Sequence, residues 1–204
     1  MKIVFDFAGV LFHWQPAEML KRELPRRAVD DASATHWTAA IFQGYGGDWA
    51  DFDRGVVSPE ALAGRIAART GLPVDEVRRV VDAVPAELQP MPGTVALLDR
   101  LRRAGRPLYY LSNMPAPYAL HLERAHAFVG WFTEGVISGR VGWIKPEPEI
   151  FGLAATRFGA APGELLFIDD VEANVQAARA AGWSALRFDD AAACEVALRR
   201  LGLL

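Results

Sequence analysis

Four short segments of this 204-residue chain carry groups able to act on a charged substrate. Asp6 closes the apolar run Ile3-Val4-Phe5, and Gly9 follows it in a turn. Ser112-Asn113 ends a second apolar stretch, Lys145 stands before Pro146, and Asp169-Asp170 closes Leu165-Leu166-Phe167-Ile168, with Asn174 four residues beyond Asp170. Short apolar runs bounded by turn residues read as buried strands. In open α/β sheets, ligands sit just outside the carboxyl ends of such strands. Each segment also has a plainer reading. A strand-end Asp caps helices, Ser-Asn makes turns, a lone Lys is usually solvated, and paired acids answer a helix dipole. Taken together, the four fall on one edge of one sheet. They supply a nucleophile, hydroxyl and amide donors, a cation and metal-binding carboxylates.

Phosphoryl transfer is the chemistry that uses such a set. Asp6 is ionised near pH 7 and can attack phosphorus without a neighbouring base, forming an aspartyl-phosphate that water hydrolyses. A dianionic phosphate repels that carboxylate, so cations must bridge the two. Mg²⁺ suits all-oxygen ligation, here from Asp6, the Ala8 backbone carbonyl, Asp170 and Asp169. Lys145 neutralises Asp6 and the phosphate as a point charge. Ser112 and Asn113 donate to phosphate oxygens, helped by backbone amides after Asp6. Asn174 orients the acidic loop from the first turn of the next helix.

The elements that must position these groups follow from periodicity. From about Gly93 onward helices alternate with apolar strands. Helices are expected over Thr94–Ala104, from Pro146 to Phe158 and over Asn174–Ala181, and strands over Arg106–Leu111, Glu134–Ser138, Leu165–Ile168 and Trp183–Phe188. This alternation implies a Rossmann-like, doubly wound parallel sheet with helices on both faces. Between His13 and Pro90 no buried strand is evident. Helical patterns at Ala17–Leu24, Ala34–Phe42, Glu60–Arg69 and Val74–Val84 form an insert directly after the first strand, with Ser58-Pro59-Glu60 as a helix start. The expected division is an α/β core at 1–14 and 91–204 and a helical cap at 15–90. Net charge is −3, from 22 basic and 25 acidic residues that are interspersed, which argues against a nucleic-acid partner. Cys194 is the sole cysteine, so no intrachain disulfide forms. The N-terminal apolar stretch is too short for a signal peptide or membrane span, so a cytoplasmic protein is expected, acting on a small-molecule phosphate ester.

These motifs resemble those of the haloacid dehalogenase-like (HAD) hydrolases. The matching pieces are Asp6-Phe7-Ala8-Gly9-Val10-Leu11, Leu111-Ser112-Asn113, Lys145-Pro146-Glu147 and Phe167-Ile168-Asp169-Asp170 with Asn174. The insert, with Phe52-Asp53-Arg54-Gly55, resembles the family's first-position cap. Within the family the chain is most similar to bacterial phosphatases of α-glucose 1-phosphate, which implies a Mg²⁺-dependent sugar phosphatase. It departs from most family phosphatases at Ala8, where an Asp usually protonates the leaving oxygen. Three readings follow: a substrate with a good leaving group, a substitute acid such as His13 or a cap residue, or a relative that binds phosphometabolites with little catalysis. A metal-independent 2-haloacid dehalogenase is a further alternative, although paired acids at 169 and 170 have no use without a cation. The aromatics Trp14, Trp37, Phe42, Tyr45, Trp49 and Phe52 are expected to pack the cap. One or two of them should line the site from the flexible Gly44–Gly47 loop, while Arg54 pairs with Asp51 or Asp53.

Overall fold

The apolar runs that end in polar residues become the strands of one parallel sheet. In the computed structural model, which describes residues 1–204, β1 (Lys2–Phe5) is followed by helices α1 (Pro16–Glu23), α2 (Asp31–Phe42), α3 (Gly47–Asp53), α4 (Pro59–Thr70) and α5 (Val74–Glu87). Then come α6 (Pro92–Arg103), β2 (Leu108–Ser112), α7 (Ala116–Ala125), β3 (Glu134–Ile137) and α8 (Ser138–Val141). The chain ends with α9 (Pro148–Arg157), β4 (Leu165–Asp169), α10 (Glu172–Ala180), β5 (Ser184–Arg187) and α11 (Ala191–Arg200). Strand order is β3-β2-β1-β4-β5, so β1 is central. Phe5 is in register with Tyr110 on one side and Ile168 on the other. The residues that follow Phe5 and Ile168 are Asp6, just past the end of β1, and Asp169, the last residue of β4, which therefore lie level with one another.

Both faces of the sheet are covered, which is why its strands read as continuous apolar runs. Ile3, Phe5, Leu166 and Ile168 face one buried cluster, whereas Val4, Leu165, Phe167 and Leu111 face the other. The first cluster continues without a break into the helical insert through Phe7, Leu11, Phe12, Phe52 and Tyr118. Further bonds pin the insert to the core. The Tyr118 hydroxyl donates to the Val81 carbonyl at 2.6 Å, and the Arg54 guanidinium grips Glu147 through two bonds of 2.6 and 2.8 Å. Arg54 thus pairs across to the core, not with Asp51 or Asp53. No helix is long and apolar enough to cross a membrane.

Three helices were not expected: α3, α7 and the single turn α8, whose first residue, Ser138, was expected to end a strand. α3 is only seven residues, begins at Gly47 and contains three aspartates besides, so neither propensity nor period marks it. α7 follows Pro115, where turn residues mask its start. Another helix was expected from Pro146, but α9 begins at Pro148, with Glu147 as its cap position. Pro146 instead continues the loop that carries Lys145.

Candidate active site

Lys145 holds the site together. Its Nζ lies 2.9 Å from Asp6 Oδ2 and 2.6 Å from Asp169 Oδ2, with its side chain 1% exposed. Asn113 fixes the loop beneath it: its Nδ2 donates to the Lys145 carbonyl at 2.8 Å, and its Oδ1 accepts the Lys145 N–H at 2.7 Å. Asn113 is therefore a clamp on the Lys145 backbone, with one amide proton left for a ligand. Asp169 is completely buried and its lone pairs are spoken for. Oδ1 accepts the Val171 N–H at 2.8 Å, Oδ2 takes Lys145, and the Asn174 amide lies 3.1 Å from both oxygens. A carboxylate has about four lone-pair positions, all filled here.

Asp6 differs. Oδ1 accepts only the Phe7 N–H, at 2.7 Å, so each oxygen keeps a free lone pair. Burial pushes its pKa up to about 7; Lys145 opposes that shift, and Asp169 and Asp170 add to it. Burial also works against the Lys145 charge, but Asp169 and Asp6 outweigh it and hold Lys145 above its ordinary value. The pair is thus a firm cation beside a carboxylate that lacks enough positive charge.

Asp170 supplies the third carboxylate and makes no hydrogen bond or ion pair through its side chain. Its pKa is raised, first by burial and then by Asp169. Oxygens of Asp6, Asp169 and Asp170 lie within 4.8 Å of one another, a donor set suited to a hard divalent cation such as Mg²⁺. Asp6 and Asp170 have the free lone pairs, and the Ala8 carbonyl accepts no hydrogen bond, so these three fit the metal. Asp169 contributes charge and holds Lys145. Gly9 makes room for this arrangement: at φ +82°, a Cβ there would sit 2.3 Å from Asp170 Oδ2. Gly9→Ala is expected to cost about 1–2 kcal/mol for the left-handed backbone alone. It should also displace Asp170, raising the Mg²⁺ concentration needed for half-maximal activity. A metal titration of the variant, alongside its melting curve, checks both.

The other residues expected at the site divide. Ser112 is 1% exposed, and its hydroxyl has no partner at all. An orphaned buried hydroxyl costs about 1–3 kcal/mol, but Ser112 is not itself among the residues that line the cavity, unlike its neighbour Asn113. Of the amides from Phe7 to Leu11, those of Gly9, Val10 and Leu11 are used within the turn and that of Phe7 by Asp6. Only the Ala8 N–H remains for a ligand. His13 is exposed and outside the cavity. The cavity, about 290 Å³, opens over Asp6, Ala8, Asn113, Lys145, Asp170 and Asn174. Trp14, Tyr45 and Trp49 form its cap-side wall, while Trp37, Phe42 and Phe52 do not reach it. Gly44–Tyr45 is a single tight turn, with Tyr45 at φ 64° and its hydroxyl accepting Trp14 Nε1–H at 2.5 Å. The sequence reading missed Asp53, a cavity residue only 6% exposed. The one signal was an acid beside Arg54, and it was assigned to the wrong partner.

A parallel sheet with an Asp–Lys–Asp cluster and a free acid at the carboxyl edge of its central strands brings together a nucleophile, a cation and metal-binding oxygen, a set suited to hydrolytic chemistry. The chain belongs to the haloacid dehalogenase-like hydrolase family, whose pattern matches residues 3–182. It is 28% identical over 198 residues to the sesquiterpene phosphatase astK of Aspergillus oryzae, covering 97% of this chain and 94% of that one. It is 25% identical to the phosphoglycolate phosphatase of Escherichia coli K12, over 88% and 77% of the two chains. The fold also superposes, at TM-score 0.71 and 23% identity over 91% and 92% of the chains, on a HAD family enzyme from Bacteroides thetaiotaomicron in complex with magnesium and inorganic phosphate. This protein is accordingly a phosphatase-type hydrolase, a phosphoric monoester hydrolase.

Proposed function

We propose that the enzyme is a Mg²⁺-dependent phosphatase of a small phosphorylated metabolite, working through an aspartyl-phosphate on Asp6. The observation that carries this reading is the asymmetry of the cluster: Asp6 and Asp170 keep free oxygens facing the cavity that Lys145 also lines, while Asp169 is fully engaged behind them by Lys145, Asn174 and the Val171 N–H. A bound Mg²⁺ supplies the charge neutralisation that lets a carboxylate approach a dianionic phosphate. Asp6 attacks phosphorus in line; Lys145 orients it and balances the phosphate charge. The Ala8 N–H and the spare Asn113 proton are the donors for phosphate oxygens. The free Asp170 carboxylate has no task in a metal-free displacement at carbon, which weighs against a dehalogenase.

For the organic half, the resemblance to glucose 1-phosphate phosphatases implies a sugar. The cavity walls favour something less polar. Beyond the phosphate end they are mostly apolar, with Trp14, Trp49, Val84, Leu88, Met114 and Tyr118 beside the two polar groups Tyr45 and Asp53, and Lys145 is the only cationic side chain. A second phosphate or a carboxylate would meet no counter-charge there. An uncharged, largely hydrocarbon alcohol, of the kind astK's name denotes, would bury two or three extra methylenes at about 0.8 kcal/mol each.

The test is a phosphate-release panel of an aryl phosphate, α-glucose 1-phosphate and a prenyl monophosphate, with and without chelator. Mg²⁺-dependent release is expected, with kcat/KM about 10–100-fold higher for the prenyl ester than for the sugar ester. Binding without turnover would leave a phosphometabolite-binding protein. Halide release from 2-haloacids that persists in chelator would establish the dehalogenase.

A further inference from the structure

Ala8 leaves the phosphatase reading without a proton donor. A methyl group cannot protonate the departing alkoxide, and an unactivated alcohol is a poor leaving group. General acid help is worth about 10²–10⁴-fold, so its source matters. Asp53, the last residue of α3, is a carboxyl that lines the same cavity as Asp6 and Lys145, is 6% exposed, and makes no hydrogen bond or ion pair with any protein group. Buried carboxyls are normally paired, and one left unpaired at a ligand cavity calls for an explanation. Its neighbour Arg54 does not neutralise it, because that guanidinium is spent on Glu147.

Asp53 belongs to the insert, yet the core fixes its place. Its carbonyl accepts the Ser138 hydroxyl at 2.6 Å, and that same hydroxyl accepts the Met114 N–H at 2.8 Å, just beyond β2. Two residues on, Gly55 lies against the Gly139 backbone so closely that a Cβ would come within 2.5 Å of the Gly139 carbonyl oxygen. The backbone that presents Asp53 is thus tied to the loops that carry Ser112, Asn113 and the end of β3.

We propose that Asp53 protonates the leaving-group oxygen, the task that Ala8 cannot perform; this rests on the phosphatase reading above. As Asp6 Oδ bonds to phosphorus, the P–O bond to the alcohol breaks and its electron pair takes the Asp53 proton, releasing the neutral alcohol. In the second step Asp53, now a carboxylate, accepts a proton from the water that attacks the aspartyl-phosphate. The P–Oδ bond breaks, Asp6 is regenerated, inorganic phosphate leaves, and Asp53 is again an acid. Its protonation state suits the role. Burial pushes its pKa up to about 8, with Lys145 opposing and Asp6 reinforcing the shift. The remaining titratable groups around it, Tyr45 and Tyr118, have pKa values raised by burial and are neutral at neutral pH.

The experiment compares wild type with Asp53→Asn on 4-nitrophenyl phosphate, whose leaving group needs no proton, and on a simple alkyl phosphate. The readout is kcat/KM, which reports only the steps through aspartyl-phosphate formation. The loss on the alkyl ester is expected to exceed that on the nitrophenyl ester by about 10²-fold or more. The basic limb of the wild-type pH profile on the alkyl ester should vanish, and adding Ala8→Asp to the Asp53→Asn background should restore alkyl turnover. Equal losses on both esters, or no loss on either, would overturn the assignment to Asp53 alone. A wild-type protein that hydrolyses neither ester would overturn the phosphatase reading, and the acid with it.

Discussion

Asp6→Asn is expected to lower phosphate release by at least about 10⁴-fold while leaving the fold as stable as before or more so. The kinetic half follows from the role of the oxygen. An amide is not nucleophilic at phosphorus, and loss of a covalent nucleophile in other hydrolases is felt on this scale or above. The stability half follows from the folded-state pKa of about 7, against an ordinary value of 3.8. Between those two pH values the unfolded chain has lost the Asp6 proton and the folded one keeps it, so wild-type stability falls as pH rises from about 4 to about 7. Asn carries no such proton. Its melting temperature relative to wild type, without metal, should therefore climb across that window and level off above it. Mg²⁺ should raise the melting temperature of wild type at pH 8 more than that of Asp6→Asn, since a ligand is missing. A variant with more than a few per cent of wild-type turnover would show that another group attacks phosphorus.

Much of this arrangement could be read from the chain because it is written in local patterns. A strand buried on both faces announces itself as Ile3-Val4-Phe5 or Leu165-Leu166-Phe167-Ile168, and the polar residue that ends each one marks the ligand edge. Lys145 is different. Nothing in Lys145-Pro146 shows that its loop will be clamped by Asn113 and thrust between Asp6 and Asp169; the company of the other three segments and the family resemblance put it at the ligand edge, but neither showed the clamp. The division of labour within Asp169-Asp170 was also hidden. Two adjacent carboxylates look equivalent until Asn174, the Val171 N–H and Lys145 claim the first and leave the second free. Asp53 was the largest omission. Its helix is too short to show a period, and an acid next to an arginine reads as an ion pair. That Arg54 reaches across to Glu147 is a tertiary fact, 93 residues distant along the chain, and it is what frees the aspartate to face the cavity.

Lys145→Met tests the other half of the cluster and should damage both folding and function. Met has the unbranched shape to occupy the channel but cannot answer the two carboxylates 2.9 and 2.6 Å away. Removing one partner of a buried ion pair costs about 3–5 kcal/mol, because the charge left behind has neither water nor a counter-ion. At about 2–4 °C per kcal/mol for a chain of this size, the melting temperature at pH 8 should fall by roughly 6–20 °C. The deficit should shrink on acidification. Lys145 lowers the Asp6 pKa in wild type, so its loss moves that pKa above about 7, and protonating Asp6 then relieves the unpaired charge. The same shift keeps the nucleophile protonated at neutral pH and removes a cation from the phosphate, so turnover should drop by about 10³-fold. Added Mg²⁺ should recover only part of the lost stability: it can reach the free oxygens of Asp6 and Asp170, whereas Asp169 is sealed beneath them. If Lys145→Met melts with wild type at pH 8 and keeps a tenth of its turnover, the cation is not what holds these carboxylates together, and the asymmetry that marks Asp6 as nucleophile loses its physical basis.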